Sequence, residues 1–309
     1  MNLQQLEYIV ALERHKHFGK AAEYAGVSQP TLSTMVQKLE EELGVKLFDR
    51  THQPILPTDI GCKVLAQAHT VLRQAAILME IVQNEEDGLS GSITLGILPT
   101  IAPYLLPRLV PVLHRELPEL HVNFVEKLTS ECLADLESGQ MDLAVLATLP
   151  EGSSRLEATP LFYEEFFGYV SRQEPLFAQN FIRSTEVDPS RLWLLDEGHC
   201  FRDQLSRFCQ LRRSLNPQHQ YRRGSLSTFM NMIEGGSGMT FIPELCVRML
   251  GPEREVHVRP FAIPRPTRLV NLTRREDFGR RRLYERLVDC LRLAVPEEML
   301  QLRPGQSLI

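Results

Sequence analysis

The sequence lacks a hydrophobic run long enough to span a bilayer, which takes about 20 predominantly apolar residues. Its first residues also lack the basic segment and the small-residue cleavage site of an export signal. We therefore expect no membrane partner and a cytoplasmic protein, in a compartment where thiols are kept reduced.

Cysteine is scarce and scattered, with 6 residues in 309. The spacings make neither a disulfide framework nor the paired CxxC motifs of a zinc knuckle. The glycine-rich "EGGSGMTF" lacks the strand-before-loop context of a dinucleotide site. We therefore expect no metal and no cofactor, and any disulfide would be conditional. The cysteines are Cys62, Cys132, Cys200, Cys209, Cys246 and Cys290.

An excess of basic charge is also absent, since 34 Lys and Arg residues stand against 39 Asp and Glu residues. The net charge of −5 argues mildly against a general nucleic-acid coat protein but leaves room for a local basic surface. A hydrophobic share of 43% in 309 residues is typical of a globular protein of two or three domains.

Residues 1–58 have the pattern of a winged helix-turn-helix. Apolar residues recur on one face of a first helix, and "GKAAEYAG" predicts a second helix that ends at Gly26. Ser28 is a good N-cap for a third helix, with Pro30 in its first turn and Gly44 at its end. The following "VKLFDRTHQPILPT" predicts a two-stranded wing.

Residues 59–87 predict a linker helix of about 28 residues, which Thr58 can cap. Its apolar residues alternate spacings of four and three, as in a coiled coil, so a dimer is favoured over packing on its own chain. The polar "NEEDGLSG" then indicates a hinge. The apolar seam consists of Val64, Ala68, Val71, Ala75, Leu78 and Val82.

Residues 88–309 predict an α/β effector domain. The strand-like "SITLGIL", "HVNFVEK" and "DLAVLAT" alternate with helical stretches at 103–116 and 129–139, which indicates a parallel sheet. Further strands are expected at "EFFGYVS", "RLWLLDE", "GMTFIPE" and "TRLVNLTRR", with helices at "STFMNMIEG" and 278–295. The final "PEEMLQLRPGQSLI" has the composition of a loose tail.

Two α/β lobes with chain crossings between them would fit this order of elements. We expect lobe I over about 88–161 and 268–300, and lobe II over about 162–267. A cleft would then lie where the lobes meet.

The start of the third helix carries polar side chains of the kind that reach base edges in the major groove. Glutamine can bond adenine through two atoms, and threonine can place its methyl group against that of thymine. Lys38, Arg50 and His52 are candidates for phosphate or minor-groove contacts. The alternative is a helical dimerisation module, since "EEELG" places three acids at the far end. The expected base-reading residues are Gln29, Pro30, Thr31, Ser33 and Thr34.

The segment "LEYIVALERHKHFGKAAEYAGVSQPTLSTMVQKLEEELGVKLFDR", followed by wing, linker helix and two lobes, resembles the LysR-type transcriptional regulators. The resemblance covers essentially the whole chain. It implies a periplasmic-binding-protein-like effector domain, double-stranded promoter DNA and RNA polymerase as partners, and a homodimer that pairs into a homotetramer. The chain departs from the family in its wing, where Arg50 matches the first of two arginines and His52 and Gln53 occupy the region of the second. We expect a weaker or protonation-dependent grip on DNA there.

The stretch "DEGHCFRDQLSRFCQ" places Cys200 and Cys209 nine positions apart. From the residues alone, the pair could be a reactive thiol with its partner, half of a metal site, or packing residues. His199 and Arg202 are close enough in sequence to stabilise a Cys200 thiolate. Asp203 could orient Arg202, or it could oppose the effect of Arg202 by placing a negative charge nearby.

Within the family, "GHC-x-RDQ" and the earlier "LGILPTIAPYLLPRLVP" resemble a peroxide-sensing subgroup. This resemblance implies that hydrogen peroxide oxidises Cys200, that Cys209 resolves it as a disulfide, and that a thiol reductant of glutaredoxin or thioredoxin type reverses the bond. It also makes Thr100, Thr129 and His199 candidates for the peroxide pocket.

The segment "CFRDQLSRFC" has helical composition. In a continuous helix nine steps separate the Cα atoms by about 13 Å, whereas a disulfide needs about 4.4 to 6.8 Å. Oxidation would therefore have to unwind the segment.

The sequence thus predicts a redox-sensing activator that is not an enzyme. Its rivals are a LysR-type regulator that answers a small organic ligand in the interlobe cleft, with non-sensing cysteines, and a thiol peroxidase with a DNA module.

Overall fold

The described part of the chain divides into two compact units. One comprises Met1–Gly88 with Glu137–Gln140, and the other comprises Leu89–Leu136 with Met141–Ile309. None of the described helices is long and apolar enough to cross a membrane. His52 and residues 84–88 of the expected hinge "NEEDGLSG" (84–91) lie outside the described residues. The computed structural model describes residues 1–51, 53–83, 89–149, 155–196, 198–211 and 224–309.

The first unit is a winged helix-turn-helix followed by a long helix, as its sequence predicts. Ser28 Oγ accepts a hydrogen bond from the Thr31 backbone and caps the third helix, which ends at the left-handed Gly44. Thr58 caps the long helix by accepting from the Gly61 backbone at 3.0 Å. The elements are α1 (Leu3–His15), α2 (Phe18–Tyr24), α3 (Gln29–Leu43), β1 (Phe48–Asp49), antiparallel β2 (Leu56–Pro57) and α4 (Asp59–Gln83).

The buried carboxylate of Glu40 joins α3 to the wing. Its Oε1 accepts from the backbone amides of Leu47 and Phe48 at 2.8 and 3.3 Å. Its Oε2 accepts from Arg50 at 2.8 Å and from Lys46 at 3.2 Å. A carboxylate that is buried with this many donors is stabilised by charge-assisted hydrogen bonds, so Glu40 sets the register of the wing against the recognition helix.

The coiled-coil seam of α4 is only partly free for a partner. Ala68 is buried in the core of the first unit, and Val64 and Val71 pack against that core beside α1. The expectation that the seam seeks a partner rather than its own chain is therefore wrong for this half of the helix. Leu78, further along, is 63% exposed and remains available.

The second unit begins with the predicted parallel sheet. Strand β3 pairs with β4 on one side and with β5 on the other, both in parallel, because helical crossovers connect them. Their apolar residues and those of α5 form what we call the lobe I core, with residues such as Leu95, Leu105 and Val145 fully or almost fully buried. The elements are β3 (Gly91–Ile97), α5 (Ala102–Glu116), β4 (Leu120–Glu126), α6 (Thr129–Ser138) and β5 (Leu143–Leu146).

Two long antiparallel strands, β6 and β9, join this lobe to the second. Strand β6 pairs with β9 over Leu156–Glu165 and then with β7 and β8, and its register shifts between Pro160 and Phe162. The lobe II core gathers around Phe166, Phe201 and Phe241. The elements are β6 (Leu156–Val170), α7 (Cys200–Phe208), α8 (Leu226–Gly235), β7 (Met239–Pro243), α9 (Glu244–Val247), α10 (Pro252–Glu255), β8 (Val258–Pro260), β9 (Arg265–Arg275), α11 (Arg281–Leu293) and β10 (Gln306–Leu308).

Two expectations for this unit are wrong. Residues 191–196 make one isolated bridge, between Leu192 and Met239, rather than a strand. The segment at 296–309 is no loose tail, because β10 pairs in parallel with β9. Its polar composition conceals this strand, since backbone groups of an edge strand bond regardless of side-chain hydrophobicity.

Replacing Glu40 with alanine tests whether this carboxylate holds the wing. Glu40→Ala leaves two backbone amides and the Arg50 guanidinium without their acceptor, so we expect a loss of about 2–4 kcal/mol in the stability of the first unit. Native-state hydrogen exchange of α1–α3 in the full chain measures it. Glu41→Ala, which removes an exposed carboxylate bonded to Gln37, should change the exchange by less than about 0.5 kcal/mol.

Candidate functional site

The two cysteines lie at opposite ends of one short helix. Cys200 is the first residue of α7, and Cys209 follows the last. The Cys209 amide still donates to the Leu205 carbonyl at 2.9 Å, so the helical path is continuous between them. Nine steps of about 1.5 Å place the thiols' Cα atoms roughly 13 Å apart, well beyond disulfide range.

The two thiols also have different surroundings. Cys200 is partly buried and packs against the lobe I core. Cys209 is 7% exposed and belongs to the lobe II core, beside Leu205. Burial raises the pKa of Cys209 to about 12. Because only the thiolate is an effective nucleophile, Cys209 is chemically silent while the helix is intact, and Cys200 is the more accessible thiol.

His199 precedes α7 without capping it through its side chain. Burial lowers the pKa of His199, and the negative charges of Asp196 and Asp203 only partly oppose this shift. The imidazole is therefore neutral at pH 7 and supplies no positive charge to a Cys200 thiolate. Arg202, two residues further along α7, donates to the Leu195 carbonyl at 3.4 Å.

A fully buried arginine, Arg268 on β9, makes hydrogen bonds and ring contacts in the region behind α7. It donates to the hydroxyl and the carbonyl oxygen of Thr100, each at 3.0 Å. It also donates to Glu164 Oε2 at 2.7 and 2.9 Å. Its guanidinium carbon lies 5.3 and 5.8 Å from the ring centres of Phe166 and Phe201. Arg268 thus connects Thr100 to the residue that follows Cys200.

The Arg268–Glu164 pair lies in a dry environment. Burial pushes the pKa of Glu164 upward, and the guanidinium beside it opposes that shift. A buried ion pair is stable only when both partners are hydrogen-bonded, as they are here. Removing one partner would leave the other as an uncompensated buried charge. Neither residue is among those expected from the sequence, although a lone arginine among the apolar residues of "TRLVNL" is a detectable signal of a buried charge.

Thr129 carries an unused polar atom. It begins α6, and its Oγ1 is buried without a hydrogen-bond partner among the described residues. The preceding Leu128 lies beside Gly198, since a Cβ at that left-handed glycine would be 3.4 Å from the Leu128 side chain. Buried hydroxyls are nearly always satisfied, so this one has hydrogen-bonding capacity for a small polar molecule near the start of α7.

The recognition helix exposes most of the predicted DNA-contacting side chains. Ser33 is half-buried, and Thr31 shares a 2.8 Å hydrogen bond with the capping Ser28. Arg50, a candidate for phosphate or minor-groove contacts, bonds Glu40 and lies over the ring of Phe18 at 5.2 Å. The exposed residues are Gln29, Pro30, Thr31, Thr34 and Lys38.

Metal chemistry has no support in the described ranges, which contain no group of three or more His, Cys, Asp or Glu residues placed to hold an ion. The remaining cysteines differ from the pair in setting. Burial raises the pKa of Cys132, Cys246 and Cys290, while Cys62 is exposed on α4.

Comparison with known families identifies both units. Residues 3–62 match the bacterial regulatory helix-turn-helix proteins of the lysR family, and residues 86–295 match the LysR substrate binding domain. The chain belongs to the LysR family of transcriptional regulators. Its two-lobed second unit is therefore the effector domain of a LysR-family regulator.

Individual LysR-family proteins resemble the chain over most of their length. A hydrogen peroxide-inducible genes activator from Dickeya chrysanthemi is 38% identical over 292 residues, 94% of this chain and 95% of the relative. Full-length OxyR from Pseudomonas aeruginosa, with a cysteine-to-aspartate substitution, is 37% identical with a TM-score of 0.80 over 95% and 98% of the two chains. OxyR from Porphyromonas gingivalis is 52% identical with a TM-score of 0.67 over 71% and 99%.

Alkylation of the native protein tests the contrast between the thiols. With iodoacetamide at pH 8, we expect Cys62 and Cys200 to be modified first, because the exposed and partly buried thiols are accessible. Cys209 should lag strongly, since a pKa of about 12 leaves only about one thiol in ten thousand ionised. Mass spectrometry of tryptic peptides gives the rates. Equal rates at Cys200 and Cys209 would contradict the burial of Cys209, and denaturation in urea should abolish the difference.

Proposed function

We propose that this protein is a cytoplasmic DNA-binding transcriptional activator, not an enzyme, that responds to hydrogen peroxide through a reversible Cys200–Cys209 disulfide. The observation that carries the proposal is the placement of two thiols at the two ends of one helix, each against a different core. The similarity of the chain to hydrogen peroxide-inducible activators and to OxyR supports hydrogen peroxide as the oxidant.

Cys200 is the peroxide-reactive thiol in this proposal. Its thiolate attacks one peroxide oxygen, the O–O bond breaks, and the leaving hydroxide takes up a proton to become water, which leaves a sulfenic acid. Thr100, Thr129 and His199 line the pocket. The Thr129 hydroxyl, which has no partner in the described part of the chain, offers a hydrogen bond to peroxide, and the neutral His199 can donate or accept one.

Cys209 resolves the sulfenic acid. Its sulfur attacks the Cys200 sulfur, the S–O bond breaks, and a second water leaves with the proton of the Cys209 thiol. This attack requires α7 to unwind, because the helix holds the two Cα atoms roughly 13 Å apart. Unwinding draws Cys209 out of the lobe II core, so the disulfide stabilises a second conformation, and the segment acts as a two-state switch.

The partners follow from the family and from the two units. Promoter DNA would be read by α3, through Gln29, Pro30, Thr31, Ser33 and Thr34, with Lys38 and Arg50 near the backbone. Dimers would form through the exposed part of α4 and pair again into tetramers. RNA polymerase would be engaged at the promoter, and a glutaredoxin- or thioredoxin-type reductant would return the disulfide to two thiols.

One experiment separates the sensor from its rivals. Stoichiometric hydrogen peroxide should produce the Cys200–Cys209 disulfide, detected by peptide mass, and should change the footprint of the protein on promoter DNA. Cys209→Ser should stop at the sulfenic acid and lose the footprint change, while Cys62→Ser, at an exposed thiol, should behave like the unmodified protein. A footprint indifferent to the disulfide would favour a ligand-responsive regulator. Sustained peroxide consumption with reductant, and no change on DNA, would favour a peroxidase.

The base-reading and phosphate roles on α3 have different signatures. Gln29→Ala should weaken binding to the cognate promoter by about 1–3 kcal/mol while leaving binding to unrelated DNA unchanged, because base contacts carry the sequence information. Lys38→Ala should weaken both and reduce the slope of log affinity against log salt by about one. Fluorescence anisotropy at several salt concentrations measures both. An unchanged specificity ratio for Gln29→Ala would exclude its base-reading role.

A further inference from the structure

Strand β10 lies beside both the crossing strand β9 and the helix α7. Residues 306–308 pair in parallel with Arg265–Thr267 of β9, and the Ile309 amide extends the ladder by donating to the Thr267 carbonyl at 3.1 Å. The Ile309 side chain packs against the lobe II core, which also contains Leu205 and Cys209. Ile309, which follows β10, therefore contacts the same core as Cys209, the proposed resolving thiol.

Gln204 connects this segment directly to α7. The side chain is buried, with the residue 4% exposed. Its Nε2 donates to the Ile309 main-chain oxygen at 3.3 Å and to the Ala147 carbonyl at 3.0 Å. Ala147 follows β5 of lobe I. One amide group thus ties the middle of α7 to lobe I and to the segment after β10.

The other end of the segment is anchored by buried charges. Gln306 Nε2 donates to Glu165 Oε2 at 3.1 Å, and Arg303 donates to Glu244 Oε1 at 2.9 Å. Both carboxylates are almost fully buried. Charge-assisted bonds of this kind are about twice as strong as neutral ones, and neither involves α7, so the start of β10 is held independently of that helix.

Helix α7 depends on such external contacts. Its nine residues fall below the 12–15 or so that an isolated helix needs even for marginal stability, and the side chain of its N-cap residue, His199, makes no capping hydrogen bond. A contact that is made only while α7 is helical stabilises the reduced form and, by linkage, opposes formation of the disulfide.

We propose that Gln204, bonded to Ala147 and Ile309, is a latch that holds α7 helical in the reduced protein, and that oxidation opens the latch and releases Ile309 from α7. The inference rests on the proposed Cys200–Cys209 disulfide. Gln204 is a positioning residue here: it sets how readily the thiols bond without contacting either sulfur. Unwinding of α7 withdraws the Gln204 amide and leaves the Ile309 oxygen without this donor.

The test is Gln204→Met, which keeps the length of the side chain and removes both N–H donors. The full chain is equilibrated with glutathione, where two protein thiols and one oxidised glutathione give one protein disulfide and two reduced glutathione molecules. We expect the equilibrium constant for the Cys200–Cys209 disulfide to rise about three- to tenfold, as the loss of one or two neutral hydrogen bonds implies. Gln173→Met, at an exposed glutamine of the same unit, should leave it unchanged.

A second readout follows the segment itself. Hydrogen exchange of the Ile309 amide, which donates to the Thr267 carbonyl, should be slow in the reduced protein and faster after oxidation. It should also be faster in reduced Gln204→Met. A shift in the redox equilibrium together with this loss of protection supports the latch.

The latch and the sensor fail in different ways. If the unmodified protein forms no Cys200–Cys209 disulfide under peroxide, the proposed function itself is wrong, and the latch falls with it. If the disulfide forms but Gln204→Met has the same redox equilibrium as Gln173→Met, the sensor stands and the latch is overturned. Protection of the Ile309 amide that is indifferent to oxidation overturns the release of Ile309 from α7.

Discussion

The length of α7 is the constraint on which the redox chemistry of this protein depends. A nine-residue helix holds Cys200 and Cys209 too far apart to bond, and it buries the second thiol in the lobe II core. In the reduced state, the distance between the two thiols therefore prevents the disulfide, although both reactive groups are present. A disulfide between these cysteines must exchange one packed conformation for another, which is what a switch requires.

The buried Arg268–Glu164 ion pair lies behind α7, where the Arg268 guanidinium contacts the ring of Phe201. It lies on the two strands that join the lobes and fixes Thr100 by two hydrogen bonds. Because both charges are removed from water, neither can move away without a large penalty, so the wall behind Phe201 stays in place.

Much of this fold could be predicted from local patterns. The caps at Ser28 and Thr58, the stop at Gly44 and the three parallel strands all follow from residue types at fixed spacings, since caps and turns depend on neighbours in sequence. Strand β10 escaped prediction because an edge strand of three residues is defined by its backbone partner and not by its own composition.

The sequence by itself determined the family-like order of units, the helical character of 200–208 and the identity of the two candidate thiols. Only the tertiary structure decided that Arg268 lies behind Phe201, that His199 is neutral, and that Gln204 reaches Ala147 and Ile309. The reason is physical. Capping and periodicity act within a few residues, whereas burial and long-range hydrogen bonds depend on segments that are distant in the chain and meet only in the folded protein.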